Sequence, residues 1–188
     1  MEAPTNSAVF DRAYRRPITF WGDVRIPTEV KELVQQRSHQ RALELGCGLG
    51  RFSRYMAQQG LRVTGVDFSP VAIARAEERV ARDDARPDFL VADVTHLEAL
   101  NGPFDIGLDV GCFHCLDPQA QQAYISKVSL LLKPSGTHLI WAMDSAPSNA
   151  HLSPAAMREI FAPNFFLKSA RKSRRRLISS HWYWLIRA

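Results

Sequence analysis

Three glycines at alternate positions, Gly46, Gly48 and Gly50, follow directly on a short apolar run, Ala42-Leu43-Glu44-Leu45. Phe52, Tyr55 and Met56 come next at i, i+3 and i+4, the spacing of one helical face. The stretch therefore predicts a buried strand, a tight glycine turn and a helix N-terminus. Glycine has no Cβ, so a ligand can lie against bare backbone at such a turn. The helix start adds free N–H groups and a partial positive charge, which suit a carboxylate or a phosphate. A dinucleotide fingerprint would need G-x-G-x-x-G with an acid about 20 positions on. Here the third place is Arg51 and the glycine falls one residue early, while an acid, Glu44, stands just ahead of the turn.

The rest of the chain alternates strand and helix patterns. Thr28 reads as an N-cap, with Val30, Leu33 and Val34 on one helical face. Strands are expected at 42–45, 62–67, 88–93, 104–110 and 137–143, with helices opening at Ser69-Pro70, Asp117-Pro118 and Ser153-Pro154. Two β-type runs, 165–172 and 179–187, close the chain with only a short turn between them, so they should pair antiparallel. Trp182, Tyr183, Trp184, Leu185 and Ile186 read as a strand buried on both faces. Apolar middle strands separated by helices indicate a parallel sheet covered on both sides. The expectation is an α/β, Rossmann-like, doubly wound sheet of seven strands, mostly parallel with an antiparallel C-terminal strand and helices on both faces. The 188 residues form a single domain on the length prior. Residues 1–27 read as irregular but aromatic-rich, a segment expected to fold over the active site.

Ligands of such sheets bind beyond the carboxyl ends of the strands. The strand-end residues Glu44, Asp67, Asp93, Asp109 and Asp144 are all acidic. A carboxylate at Asp67 can accept both hydroxyl protons of a ribose, and one at Asp93 can take an adenine amino group. Each could instead be a helix cap or turn acid. With these residues in view, 28–188 resembles a class I S-adenosylmethionine (SAM) methyltransferase. The resemblance implies that Glu44, Gly46, Cys47, Gly48 and Gly50 hold the methionine part of SAM. It implies that Asp67 holds the ribose with Phe68 beside the adenine, and that Asp93 and Val94 hold the adenine edge. Leu132-Lys133-Pro134-Ser135-Gly136 resembles the family's Leu-Lys-Pro-Gly-Gly turn, with Ser135 as a departure, and 104–116 matches its fourth-strand motif. Tyr14, Pro17, Trp21 and Pro27 resemble the leader of the small thiopurine- and tellurite-type enzymes.

Methyl transfer from a sulfonium is an in-line displacement, helped chiefly by alignment and exclusion of water. The acceptor is expected near the end of the fourth strand, where Asp109, Cys112, Phe113, His114 and Cys115 cluster. His114 is a candidate base and Asp109 a second catalytic and cofactor-binding candidate; His114 could equally pack against the sheet. Tyr14, Trp21, Cys112, His114 and Trp141 are the candidate substrate contacts, with the polar loop 145–152 as a lid and Phe20 beside Trp21 as the opposite wall. Cys112-Phe113-His114-Cys115 also reads as a C-x-x-C redox or soft-metal motif. No second cysteine pair completes a zinc site, so no metal is expected and pocket-lining is the plainer role.

A net charge of +5 is modest. Much of it lies in Lys168, Arg171, Lys172, Arg174, Arg175 and Arg176. This basic run could bind nucleic acid, or it could be a solvated hairpin that discourages edge pairing. Base-flipping methyltransferases usually carry an Asn- or Asp-Pro-Pro-aromatic motif where this chain reads Asp109-Val110-Gly111-Cys112. The acceptor is thus expected to be small: a thiol or other soft nucleophile, or a heteroaromatic oxygen or nitrogen. The alternatives are an RNA or DNA methyltransferase using the 168–176 hairpin, a non-catalytic SAM-binding protein, or a C-x-x-C oxidoreductase. No apolar run reaches the ~18 residues of a membrane span, and no secretory signal is visible, so a cytoplasmic monomer or homodimer is expected.

Overall fold

The structure is a computed structural model and describes residues 7–16, 25–35, 40–145, 151–173 and 179–188. Its contacts divide the chain into two compact units, residues 4–94 and residues 95–188.

In residues 4–94 the helices α1 (Ser7–Tyr14), α2 (Thr28–Val34), α3 (Arg51–Gln58) and α4 (Pro70–Val80) accompany the strands β1 (Arg41–Leu45), β2 (Arg62–Asp67) and β3 (Asp88–Val91). The strands are parallel, in the order β3-β2-β1. Their core is the apolar set the sequence pattern selects: Ala42, Leu43 and Leu45 from β1, Val63 and Val66 from β2, Met56 and Ala57 from α3, Ile73 and Ala76 from α4. Ser69 caps α4 by accepting the Ala72 N–H, with Pro70 at the first helical position. Three sequence expectations need correction. Residues 7–14 form a helix where irregular chain was expected. The N-cap of α2 is Pro27 and not Thr28, because the helix already includes Thr28. Asp93 lies two residues beyond β3, which ends at Val91.

Residues 95–188 hold β4 (Phe104–Val110), a short 3₁₀ turn (Phe113–Cys115), α5 (Pro118–Leu131), β5 (Leu132–Met143), α6 (Pro154–Phe161), β6 (Phe165–Lys172) and β7 (Ser180–Arg187). The strand order is β4-β5-β7-β6, with β4 and β5 parallel and β7 antiparallel to both its neighbours. The seven-stranded sheet, mostly parallel and closing antiparallel, is thus the one the alternating pattern predicted. Trp182, Tyr183, Trp184 and Leu185 are all buried, as a covered strand requires. β5 begins earlier than expected, at Leu132. Phe104 pairs with Leu132 and Ile106 with Thr137, so Lys133-Pro134-Ser135-Gly136 bulge out of the ladder. Within that bulge Ser135 takes φ +63°, a conformation glycine adopts more readily. A Cβ on Gly136 would sit 2.8 Å from the Lys133 carbonyl.

Candidate functional site

The glycine turn has the backbone its sequence implies. Gly46, Gly48 and Gly50 take φ of +67°, +54° and +70°, and Gly50 is the N-cap of α3. A Cβ on Gly50 would lie 2.5 Å from the Phe89 ring, and one on Gly48 would lie 2.9 Å from the Tyr14 hydroxyl. The turn is tied to the end of β2 at two points. Cys47 N–H donates to the Val66 carbonyl at 2.8 Å, and Gly48 N–H donates to Asp67 Oδ2 at 2.9 Å. The other oxygen of Asp67 accepts the Ser69 N–H at 2.9 Å. One carboxylate therefore joins the glycine turn to the start of α4. Burial raises the pKa of Asp67, against the lowering effect of those two N–H groups. Glu44 is 2% exposed and accepts the Ser53 hydroxyl at 2.5 Å. Burial pushes its pKa up to about 8, so it carries its proton at neutral pH.

The helix α1 packs against this same region. Phe10 meets Phe68 edge-on at 5.1 Å between ring centres, Asp11 accepts the Ser69 hydroxyl, and Arg75 donates to the carbonyls of Tyr14 and Arg16. Tyr14, expected beside the acceptor, is brought to the glycine turn. Val94 is buried and Asp93 exposed, past the point where Ala92 N–H binds the Asp67 carbonyl. Trp21, Phe20 and Pro17 lie outside the described residues.

In residues 95–188 the polar side chains near the strand ends are held differently. Asp109 is fully buried, and its oxygens accept the N–H groups of Cys112 and Phe113 and the hydroxyl of Tyr124. Burial raises its pKa to about 6. Tyr124 also meets His138 Nε2 at 2.9 Å, so a buried Asp109–Tyr124–His138 chain lies under the 3₁₀ turn. His114, on that turn, takes the Met143 N–H on Nδ1 at 3.3 Å. The proton of its neutral ring therefore sits on Nε2. Burial lowers the His114 pKa to about 4, which keeps the ring neutral. The Trp141 ring meets it edge-on at 5.6 Å, and both rings flank Gly111. The indole N–H of Trp141 is buried with no partner among the described residues.

Cys112 and Cys115 are free thiols, as is Cys47. Burial pushes the Cys115 thiol up to about 11, far from the thiolate that redox chemistry uses. No group of acids, histidines and cysteines suited to a metal ion occurs among the described residues. The loop 145–152 is closed at its base by a Ser145–His151 bridge, and 146–150 lie outside the described residues. Lys168, Arg171 and Lys172 are exposed on β6, with the Arg171 guanidinium over the Trp184 ring; Arg174, Arg175 and Arg176 lie outside the described residues. No described helix is long and apolar enough to cross a membrane.

A family model described as "Methyltransferase domain" matches residues 42–136, half of the chain. The chain belongs to this methyltransferase family. Among its relatives is an uncharacterized methyltransferase of Schizosaccharomyces pombe, 32% identical over 91 residues, which are 48% of this chain and 63% of that one. Another is the 2-heptyl-1-hydroxyquinolin-4(1H)-one methyltransferase of Mycobacteroides abscessus, 26% identical over 128 residues, 67% of this chain and 56% of that one. The methyltransferase chain thus spans less than two thirds of the length of these curated relatives. Its fold is that of the N-methyltransferase NodS from Bradyrhizobium japonicum, solved in complex with S-adenosylhomocysteine (SAH), with a TM-score of 0.82 at 17% identity over 96% of this chain and 97% of that one.

Two polar clusters of this methyltransferase escaped the sequence pattern. Tyr124 and His138 read there as helix and strand core. His181, which meets Asp144 at 2.6 Å, read only as part of the last strand. These partners lie 14 to 37 residues apart, and nothing short of the strand register brings them together.

Proposed function

We propose that the chain transfers a methyl group from SAM to a small-molecule acceptor by in-line displacement, as one catalytic domain. The observation that carries this is the turn itself. Three left-handed glycines carry the chain through a tight turn without side chains into α3, and Asp67 stands beside them with acceptor capacity beyond its two backbone donors. A side-chain-free turn at a helix start with an acid beside it fits a ligand that carries a carboxylate at one end and a ribose diol further on. Gly46, Cys47, Gly48 and Gly50 would hold the methionine part with Glu44 beneath them, Asp67 the ribose, and Phe68, Asp93 and Val94 the adenine. When bound, SAM supplies a sulfonium methyl with a good leaving group. NodS, of the same fold, is described with SAH bound.

On the acceptor side, Asp109 is spent on the backbone of the turn and would act by positioning His114 and Cys112. His114, neutral with its proton on Nε2, would donate a hydrogen bond to the acceptor. The unpartnered indole N–H of Trp141 offers a second donor, since a buried donor left unpaired costs about 1–3 kcal/mol. Two neutral donors suit an acceptor that carries oxygen on an aromatic or heteroaromatic ring. The M. abscessus relative is named for such a substrate, a hydroxyquinolinone. The three free thiols accord with a reducing cytoplasm.

Calorimetry with SAH and labelled-methyl transfer from SAM to thiols, phenols, hydroxyquinolines, amines and halides test the proposal together. Micromolar SAH binding and turnover on a ring-oxygen acceptor are expected. Absence of SAH binding overturns the reading. Binding without turnover on any acceptor class points to a non-catalytic SAM-binding protein.

A further inference from the structure

The buried acid of β4 is the end point of a line of donors. Asp109 Oδ1 accepts the Cys112 N–H at 2.9 Å, while Oδ2 accepts the Phe113 N–H at 3.0 Å and the Tyr124 hydroxyl at 2.9 Å. Tyr124 has one proton to give, and an ionised carboxylate can only accept. The tyrosine oxygen is left to accept from His138 Nε2, 2.9 Å away, so the ring proton of His138 sits there. Asp109, Tyr124 and His138 are all 0% exposed, and they come from β4, α5 and β5. The register of β4 makes the room. Gly107 is paired with His138, and a Cβ on Gly107 would sit 2.5 Å from His138 Nδ1. Packing alone asks for none of this. The Tyr124 ring meets Phe113 edge-on at 5.2 Å, and a phenylalanine would do the same. Replacing a buried hydrogen-bonded pair by apolar groups of the same shape is often nearly neutral. What the hydroxyl adds is a hold on one carboxylate, and that carboxylate takes the N–H groups of the turn on which His114 stands.

Resting on the methyltransferase reading of that turn, we infer that Tyr124, braced by His138, is a positioning residue: it keeps the Asp109 carboxylate on the N–H groups of Cys112 and Phe113, and so sets the turn that carries His114. Burial favours the protonated acid, whose O–H would point where one of these donors now points, and the turn would lose a partner. The Tyr124 hydroxyl works against that, together with the backbone N–H groups. The titratable groups around Asp109 are Tyr124 on α5, His138 on β5, and Cys112, His114 and Cys115 on the turn. Burial keeps the protons on Tyr124 and Cys115 and keeps His114 and His138 neutral down to about pH 4. Asp109 is the one carboxylate among them, with a pKa raised to about 6.

Amide NMR of the full chain, titrated from about pH 5 to 8, reads this without cofactor or acceptor. The Cys112 and Phe113 N–H signals should share one inflection at about pH 6, that of Asp109. Tyr124→Phe should move it up by about one pH unit, and His138→Leu by less in the same direction. Kinetics with phenol, which stays protonated throughout, should show the acid limb of kcat/KM moving by the same amount, with SAH affinity within twofold of the wild type. An amide inflection that stays in place in folded Tyr124→Phe overturns the inference, and so does an equal loss of turnover at every pH. If Tyr124→Phe does not fold, an unmoved inflection in His138→Leu overturns it. Where phenol is not methylated, the amide inflection decides alone. A wild-type chain that binds no SAH overturns the methyltransferase reading, while the amides still decide whether Tyr124 holds the turn.

Discussion

The two units of the chain solve the same problem, holding a polar group in place beneath a strand end, by different means. In residues 4–94 the acid at the end of β2 is held by backbone: Asp67 accepts the N–H groups of Gly48 and Ser69. In residues 95–188 side chains are added to the backbone: Asp109 takes the N–H groups of Cys112 and Phe113 and also the Tyr124 hydroxyl, which meets His138, and Asp144 meets both Ser179 and His181. On the proposed reading, the acid held by backbone alone suits a cofactor that never changes. Groups that also lean on side chains can be altered by single substitutions without disturbing the chain trace, which would suit an acceptor that differs between relatives.

The largest effect that could break this contrast lies at Asp67. Asp67→Ala removes the acceptor of two backbone donors and the proposed ribose contact, so SAH affinity should fall well over tenfold by calorimetry. Unchanged affinity would refute its role. Tyr124→Phe probes the other unit. It takes a hydrogen bond from Asp109 and leaves His138 Nε2 short of a partner, so urea unfolding should show a loss of about 1–3 kcal/mol. SAH affinity should stay within twofold; a larger fall would mean that the acceptor-side network also shapes the cofactor turn. Gly48→Ala imposes left-handed strain of about 1–2 kcal/mol and sets a methyl group against the Tyr14 hydroxyl, so SAH should bind about tenfold more weakly. Adding Tyr14→Phe should recover part of that loss, and no recovery would place the whole cost in the backbone.

The smallest change at pH 6 is expected from Glu44→Gln, an uncharged replacement for an acid already holding its proton. Its signature is in the pH profile. A carboxyl whose native pKa is raised keeps its proton longer in the folded chain. The stability it contributes is whole below about pH 4 and is lost as the pH climbs to about 8. Asp109 adds the same sense of change up to about pH 6. His114 and His138, whose native pKa values burial lowers to about 4, change stability in the opposite sense up to about pH 6.5 and offset the acids there. Wild-type stability should therefore fall between about pH 6.5 and 8, and Glu44→Gln should remove that fall; a wild-type profile that rises over this range would show that other groups outweigh Glu44.

The same contrast explains what the sequence disclosed. The glycine turn and the β2 acid were legible because backbone conformations with positive φ demand glycine, and that demand is local. The mostly parallel sheet with its antiparallel close followed from the alternation of apolar runs and capped helices, with Ser69, Asp117 and Ser153 capping as their spacing foretold. The helix at 7–14 was hidden because its buried face, led by Tyr14, is completed only by packing on α4. The β5 bulge was hidden because Lys-Pro-Ser-Gly reads as a turn whether or not the ladder resumes around it. The polarity of His114 and His181 depends on which atom faces each Nδ1, and that is set by partners 29 and 37 residues away.

Ser69 shows how much can depend on one proton. Its hydroxyl oxygen accepts the Ala72 N–H that starts α4, while its hydrogen goes to Asp11 on α1. Alanine at this position would sever both links at once, whereas threonine keeps a hydroxyl that can both accept and donate. A mutational scan should therefore find position 69 almost as intolerant as Asp67. The helices α1 and α4 should also loosen together, as a single cooperative event.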